Sequence, residues 1–448
     1  MLAIELVASQ LLAQEARALL TRLARVKAFA LLEPMLPAAA LSPIAQTAIE
    51  QYLERGRREL RVRVNEYLRW LDQDEGHQAT PEELQRRFTF LRLRFNAVLS
   101  QFDLFADAIT QRSEHETGVW LSGLDVVAAD ALELPGYYES PPVICYLDRG
   151  PGAAIRRART RLPGGGDNPV AIVRVPRERM IGSGIASSLI HEVGHQGAAM
   201  LDLVESLKPV LKGLQEKGGE QQIAWHFWNR WISEIVADFW SVAKLGIGST
   251  MGLMSVVSLP RVFMFRLNMD DPHPTPWLRV KVSCAMGQAL YPHPQWAALG
   301  RLWDSFYPLD KLDDRVQKLF ALLEASLPSF VTLLVNHRPK ALRGSSLIEA
   351  LSMADRTPAR LAAYWQAWSA APARMRRAPP SLAFAVIGQA RADAHISPEA
   401  ESHLLANLLT YWALHSSLDT SATYMKPRPC ECTNQGQARH VNGITNIQ

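Results

Sequence analysis

Residues 189–197 read Leu189-Ile190-His191-Glu192-Val193-Gly194-His195-Gln196-Gly197, and residues 231–240 read Trp231-Ile232-Ser233-Glu234-Ile235-Val236-Ala237-Asp238-Phe239-Trp240. Both stretches embed polar residues at i and i+4 in apolar helical patterns. The periodicity predicts one helix from Ser183 to about Leu214 and a second from Gln221 to Leu245, with Lys217-Gly218-Gly219 as the break. On a helix, i and i+4 lie one above the other, so His191 and His195 can direct imidazole nitrogens at one point about 2 Å from each, as a zinc ion requires. Glu192 projects about 100° further round the helix, beside such a metal and not on it, where a carboxylate serves as general base toward a water.

A catalytic zinc takes three protein ligands and keeps one position open. Glu234 is the candidate third ligand, and Asp238, one turn later, the candidate acceptor for the second ring N–H of a ligating histidine. Two carboxylates in a tryptophan-rich helix are costly to bury unless they acquire such partners. Gly194 and Gly197 each weaken a helix interior by about 1 kcal/mol relative to alanine, which predicts close approach of another segment there. Further on, Asp271-Pro272-His273-Pro274-Thr275-Pro276-Trp277-Leu278-Arg279 resembles the His-Pro stretch with a nearby arginine that follows the third ligand in the CAAX prenyl peptidases, and that resemblance makes His273 and Arg279 candidates to hydrogen-bond an oxyanion opposite the metal.

The pair of motifs, H-E-V-G-H at 191–195 and S-E-I-V-A-D at 233–238, resembles the zincin metallopeptidases of the gluzincin group, and the stretch from His273 to Arg279 is distantly similar to the CAAX prenyl peptidases. The resemblance covers roughly residues 170 to 280. It implies Zn2+ as cofactor, a peptide or protein substrate, and a strand ahead of the zinc helix along the cleft, a place that Val170 to Val175 would fill for capture of an extended substrate.

Outward from this core, residues 1–132 read as a helical N-terminal domain. Thr80-Pro81-Glu82-Glu83 marks one helix start there, opening a helix through about Ile109. Val143 to Leu147 and Val170 to Val175 read as two strands. Residues 133–309 form the zincin-like core, 310–424 a helical C-terminal region, and 425–448 a polar disordered tail in which Cys430, Cys432 and His440 are incidental. The expected fold class is mainly α with a small β-sheet, an α+β protein whose core is flanked by helical regions.

The chain has 448 residues, 48% of them hydrophobic and 21% charged, with 48 basic side chains against 44 acidic and a net charge of +4. That balance argues against nucleic acid as the partner. Four cysteines form no disulfide framework, no signal-peptide pattern opens the chain, and no run of about 18 uncharged apolar residues occurs. A cytoplasmic protein without a membrane span is expected, while oligomeric state is left open. The function expected is that of a soluble zinc metallopeptidase with His191, His195 and Glu234 on the metal and Glu192 as base. Two rivals stand beside it: a zinc amidase acting on a non-peptide substrate, and a helical scaffold or binding protein in which H-E-x-x-H is incidental or decayed.

Overall fold

Apolar residues at three- and four-residue spacing dominate the chain, and the computed structural model is accordingly mainly helical, with one small three-stranded sheet. It describes residues 2–26, 34–149, 152–162, 165–177 and 181–425. The tail beyond Met425, with Cys430, Cys432 and His440, lies outside the described residues. The order begins α1 (Leu2–Arg25), α2 (Pro43–Leu71), α3 (Asp74–Gln78), α4 (Pro81–Thr110) and α5 (His115–Leu132), followed by β1 (Val143–Asp148), β2 (Ala154–Arg156) and β3 (Ala171–Pro176). Then come α6 (Ser183–Met200), α7 (Leu203–Glu216), α8 (Gln222–Leu245), α9 (Ile247–Val257), α10 (Arg261–Met264), α11 (Pro276–Leu290) and α12 (Pro294–Phe306). The chain closes with α13 (Asp314–Asn336), α14 (Leu347–Leu351), α15 (Pro358–Ser369), α16 (Pro372–Arg377), α17 (Pro380–Ala392) and α18 (Pro398–Met425). Mainly α with a small β-sheet is therefore the fold class. The Thr80 hydroxyl caps α4 by accepting from the Glu83 amide.

The sheet, in the order β1-β3-β2, divides two apolar cores. Because side chains alternate along a strand, Val143, Cys145, Leu147, Ala171, Val173 and Val175 enter the larger core, while Ile144 and Ile172 enter the smaller one. Both faces are covered, which is why the strands read as continuous apolar runs. The smaller core is built by α1, α2 and α4. The larger one takes Leu121, Leu124 and Val127 of α5 together with α6 through α9, α11, α13 and the helices up to α18. By packing, α5 thus sides with the central segment, and residues 310–424 share its core.

Three local features differ from the sequence reading. The helix expected from Ser183 to about Leu214 is two helices: Asp202, at φ 50°, reverses the chain between α6 and α7. Strand β2 had no signal in its three residues. Helix α13 is long and apolar enough to cross a membrane by length and composition, although Glu324 interrupts its run. Its residues Phe320, Leu323, Leu327, Phe330 and Leu334 lie on one face and are buried in the larger core.

Candidate metal centre

Helices α6 and α8 lie against each other because two glycines remove the side chains that would hold them apart. A Cβ on Gly194 would stand 2.9 Å from the Ala237 carbonyl oxygen, and one on Gly197 would stand 2.6 Å from the Trp240 ring. Trp240 fills that groove and anchors itself by donating its indole N–H to the Ala131 carbonyl at 3.0 Å. The close approach expected at these glycines is present, and it brings the polar face of α6 directly onto the two acids of α8. A second tether runs to the sheet, where Gln196 accepts the Ala158 amide just past β2.

On that face the Nε2 atoms of His191 and His195 lie 3.3 and 3.5 Å from Glu234 Oε2. The imidazoles are set edge to face, with centroids 4.8 Å apart. One ligand atom from each of the three residues falls within 4.8 Å of the others. Zinc bonds of about 2.05 Å at tetrahedral angles separate ligand atoms by about 3.3 Å, close to the two distances to Glu234. Oε2 of Glu234 is buried, and none of its close approaches has hydrogen-bond geometry. A buried carboxylate oxygen without a hydrogen bond, facing imidazole nitrogens at 3.1 to 3.5 Å, is an environment a cation satisfies. A buried His-His-Glu group able to bind a metal ion is thus present. Burial would raise the Glu234 carboxyl, but His191, His195 and His273 around it hold it well below the usual carboxylate range.

Asp238 lies one turn beyond Glu234 and accepts from His191 Nδ1 at 2.7 Å through Oδ1. Arg279, on α11, donates to the same carboxylate twice, from Nε to Oδ2 at 2.6 Å and from Nη2 to Oδ1 at 2.8 Å. Burial would raise the Asp238 carboxyl, but this guanidinium and His191 bring it far below the ordinary range. Burial likewise works against charge on His191, and Asp238 with Glu234 outweighs it, so that the imidazole is pushed up to about 9. The sequence had Arg279 as an oxyanion donor; its side chain, 13% exposed, is instead committed to Asp238. The structure makes it a clamp on the residue that orients His191.

His273 reaches the same cluster from the loop ahead of α11. Its Nε2 stands 3.1 Å from Glu234 Oε2, and its Nδ1 stands 2.7 Å from Asp271 Oδ1. Contact with Glu234 raises the His273 pKa against its partial burial. Asp271, which accepts the His273 backbone amide as well at 2.9 Å, was missed as a functional residue. The two-residue spacing to His273 was its one sequence signal. Glu192 is half-buried beside the cluster, with no hydrogen bond or ion pair among the described residues.

The strand Val170 to Val175, expected to line the cleft, is the central strand, paired with β1 on one side and β2 on the other. Its backbone groups are consumed at Ile172, Val173 and Arg174, so it is unavailable to an extended ligand. The outer edge of β1 is closed by side chains: Asp125 accepts the Cys145 amide, Gln111 brackets Leu147, and Arg112 donates to the Cys145 carbonyl. Strand β2, antiparallel to β3, is the other edge strand; its Arg156 carbonyl accepts from Asn168 Nδ2, and the residues just past it are tied to α6 by the Ala158–Gln196 hydrogen bond. Set against known proteins, the chain matches no family model, no curated protein and no solved structure.

Proposed function

We propose that this chain is a zinc-dependent metallopeptidase whose metal is held by His191, His195 and Glu234. The observation that carries the reading is the convergence of one ligand atom from each of these three side chains, on two helices, to within 4.8 Å of one another, the Glu234 oxygen being buried without a hydrogen bond. Two imidazoles and one carboxylate suit zinc, and three protein ligands leave a coordination position for a reactant. Bound zinc supplies Lewis acidity, polarising a carbonyl and lowering the pKa of water toward neutrality.

The chain's own residues divide the remaining work. Glu192 takes the proton of the attacking water and hands it to the leaving amine, which completes hydrolysis of a peptide bond with the proton conserved. His273, its Nδ1 proton held by Asp271, presents Nε2 to the carbonyl oxygen as negative charge develops there. Asp238 and Arg279 fix the ring of His191. An extended substrate backbone adds along β2, an edge strand of the sheet.

The test is Glu192→Gln in the full chain. It retains one zinc per chain by metal analysis and loses hydrolysis of a peptide library by a factor of about 10² to 10⁴. Undiminished cleavage would remove Glu192 from the reaction. Cleavage of small amides with no peptide cut would favour the amidase reading.

A further inference from the structure

A pocket of about 240 Å³ opens next to His273, with Arg230, Arg266, Phe227, Trp231 and Phe263 among its walls. Its size suits one amino-acid side chain or chain end. Phe227 stacks on Trp231 with ring centroids 4.8 Å apart, making a flat apolar wall. Arg230 sits one turn before Glu234 on α8, and its Nε is buried without a hydrogen-bond partner. Arg266 is exposed at the rim, and among the described residues neither arginine has an ion pair. The acid in the lining, Asp271, is already engaged by the backbone amide and Nδ1 of His273. Thr275 Oγ1, also in the lining, is a second buried polar atom without a partner.

A guanidinium nitrogen removed from water without an acceptor is costly, and the cost is recovered when an anion enters. A planar carboxylate matches the guanidinium fork, and the aromatic wall covers the methylene stem that carries it. Resting on the peptidase reading above, we propose that this pocket recognises a substrate carboxylate close to the scissile bond. Two sources share that chemistry: the side chain of an acidic residue, and the free carboxylate at a peptide C-terminus.

The experiment uses the zinc-loaded full chain carrying Glu192→Gln and three fluorescent peptide pools of equal length. One holds acidic residues with an amidated end, one holds neutral residues with a free end, and one is neutral and amidated. Anisotropy titrations should show one carboxylate pool binding at least tenfold tighter than the neutral amidated pool. That excess should fall at least fivefold in Arg230→Gln and in Arg266→Gln, the latter at an exposed position where folding is safe. Which pool gains identifies the source. Equal binding of all three pools, or a preference that survives both substitutions, overturns the proposal. The unsubstituted chain is incubated with the same pools in parallel. A carboxylate preference in binding with no cleavage keeps the pocket and removes the peptidase reading, whereas cleavage without preference does the reverse.

Discussion

Asp238 and Asp271 each hold the Nδ1 of a histidine at 2.7 Å, yet the two pairs are built differently. Asp238 belongs to a long helix, is gripped by a bidentate arginine, and faces a histidine whose side chain is 10% exposed. Asp271 comes from a loop, lies two residues before its partner, and both side chains are close to half exposed. The inner pair has no freedom to turn, which suits a ring that must present one nitrogen to a cation. The outer pair meets solvent and a neighbouring pocket, which suits a ring that must answer charge arising on a substrate. The same hydrogen bond is thus buried and braced in one place and, in the other, exposed beside a pocket, where the proposed reaction would use it.

That contrast breaks first at Asp238. Asp238→Ala leaves the buried Arg279 without its carboxylate and should cost about 3 to 5 kcal/mol in chemical unfolding, together with zinc affinity. Unchanged stability would mean that the inner pair braces nothing. Gly197→Ala tests the helix contact under it. The added Cβ meets the Trp240 ring at 2.6 Å, and overpacking of this kind should cost about 1 to 3 kcal/mol.

Acid and base probe the same pair in the metal-free protein. Asp238 is depressed, so its contribution is present above its unfolded pKa of about 3.9 and fades as pH falls below that. His191 is raised to about 9, so its contribution is full below about 6.5 and is lost as pH climbs through 9. Melting temperature across pH should therefore decline on the alkaline side, and His191→Gln should flatten that decline. A slope unaffected by the substitution would contradict the assignment. At the outer pair, His273→Ala should change stability by less than about 0.5 kcal/mol while reducing turnover by about 10² to 10³. A large loss of stability with normal turnover would reverse the roles given to the two pairs.

The reach of sequence reasoning follows the range of the interactions. Helix α8 was legible almost to the residue, because its apolar pattern and the glycines before it are local signals. The pairs His191 with His195 and Glu234 with Asp238 were legible because i and i+4 spacing fixes which side chains share a face before any tertiary contact forms. Asp202 escaped because the apolar periodicity continues across the αL turn: Leu201, Leu203 and Leu207 are all buried in one core. Arg279 was found as a residue but given the wrong partner, since its distance from Asp238 along the chain leaves no local trace. Central β3 reads as a strand open to substrate because three-residue β2, which covers its other side, is too short to leave a sequence signal. The division of the cores at α5 was equally hidden, since the helix reads alike on either side of a sheet.

Zinc stoichiometry of the purified full chain, measured by plasma emission beside His195→Ala and Glu234→Gln, bears most directly on the three-ligand centre. Close to one zinc per chain is expected, lost in both variants while the fold is retained. No zinc in the unsubstituted chain after loading, or one zinc that both variants keep, would contradict it.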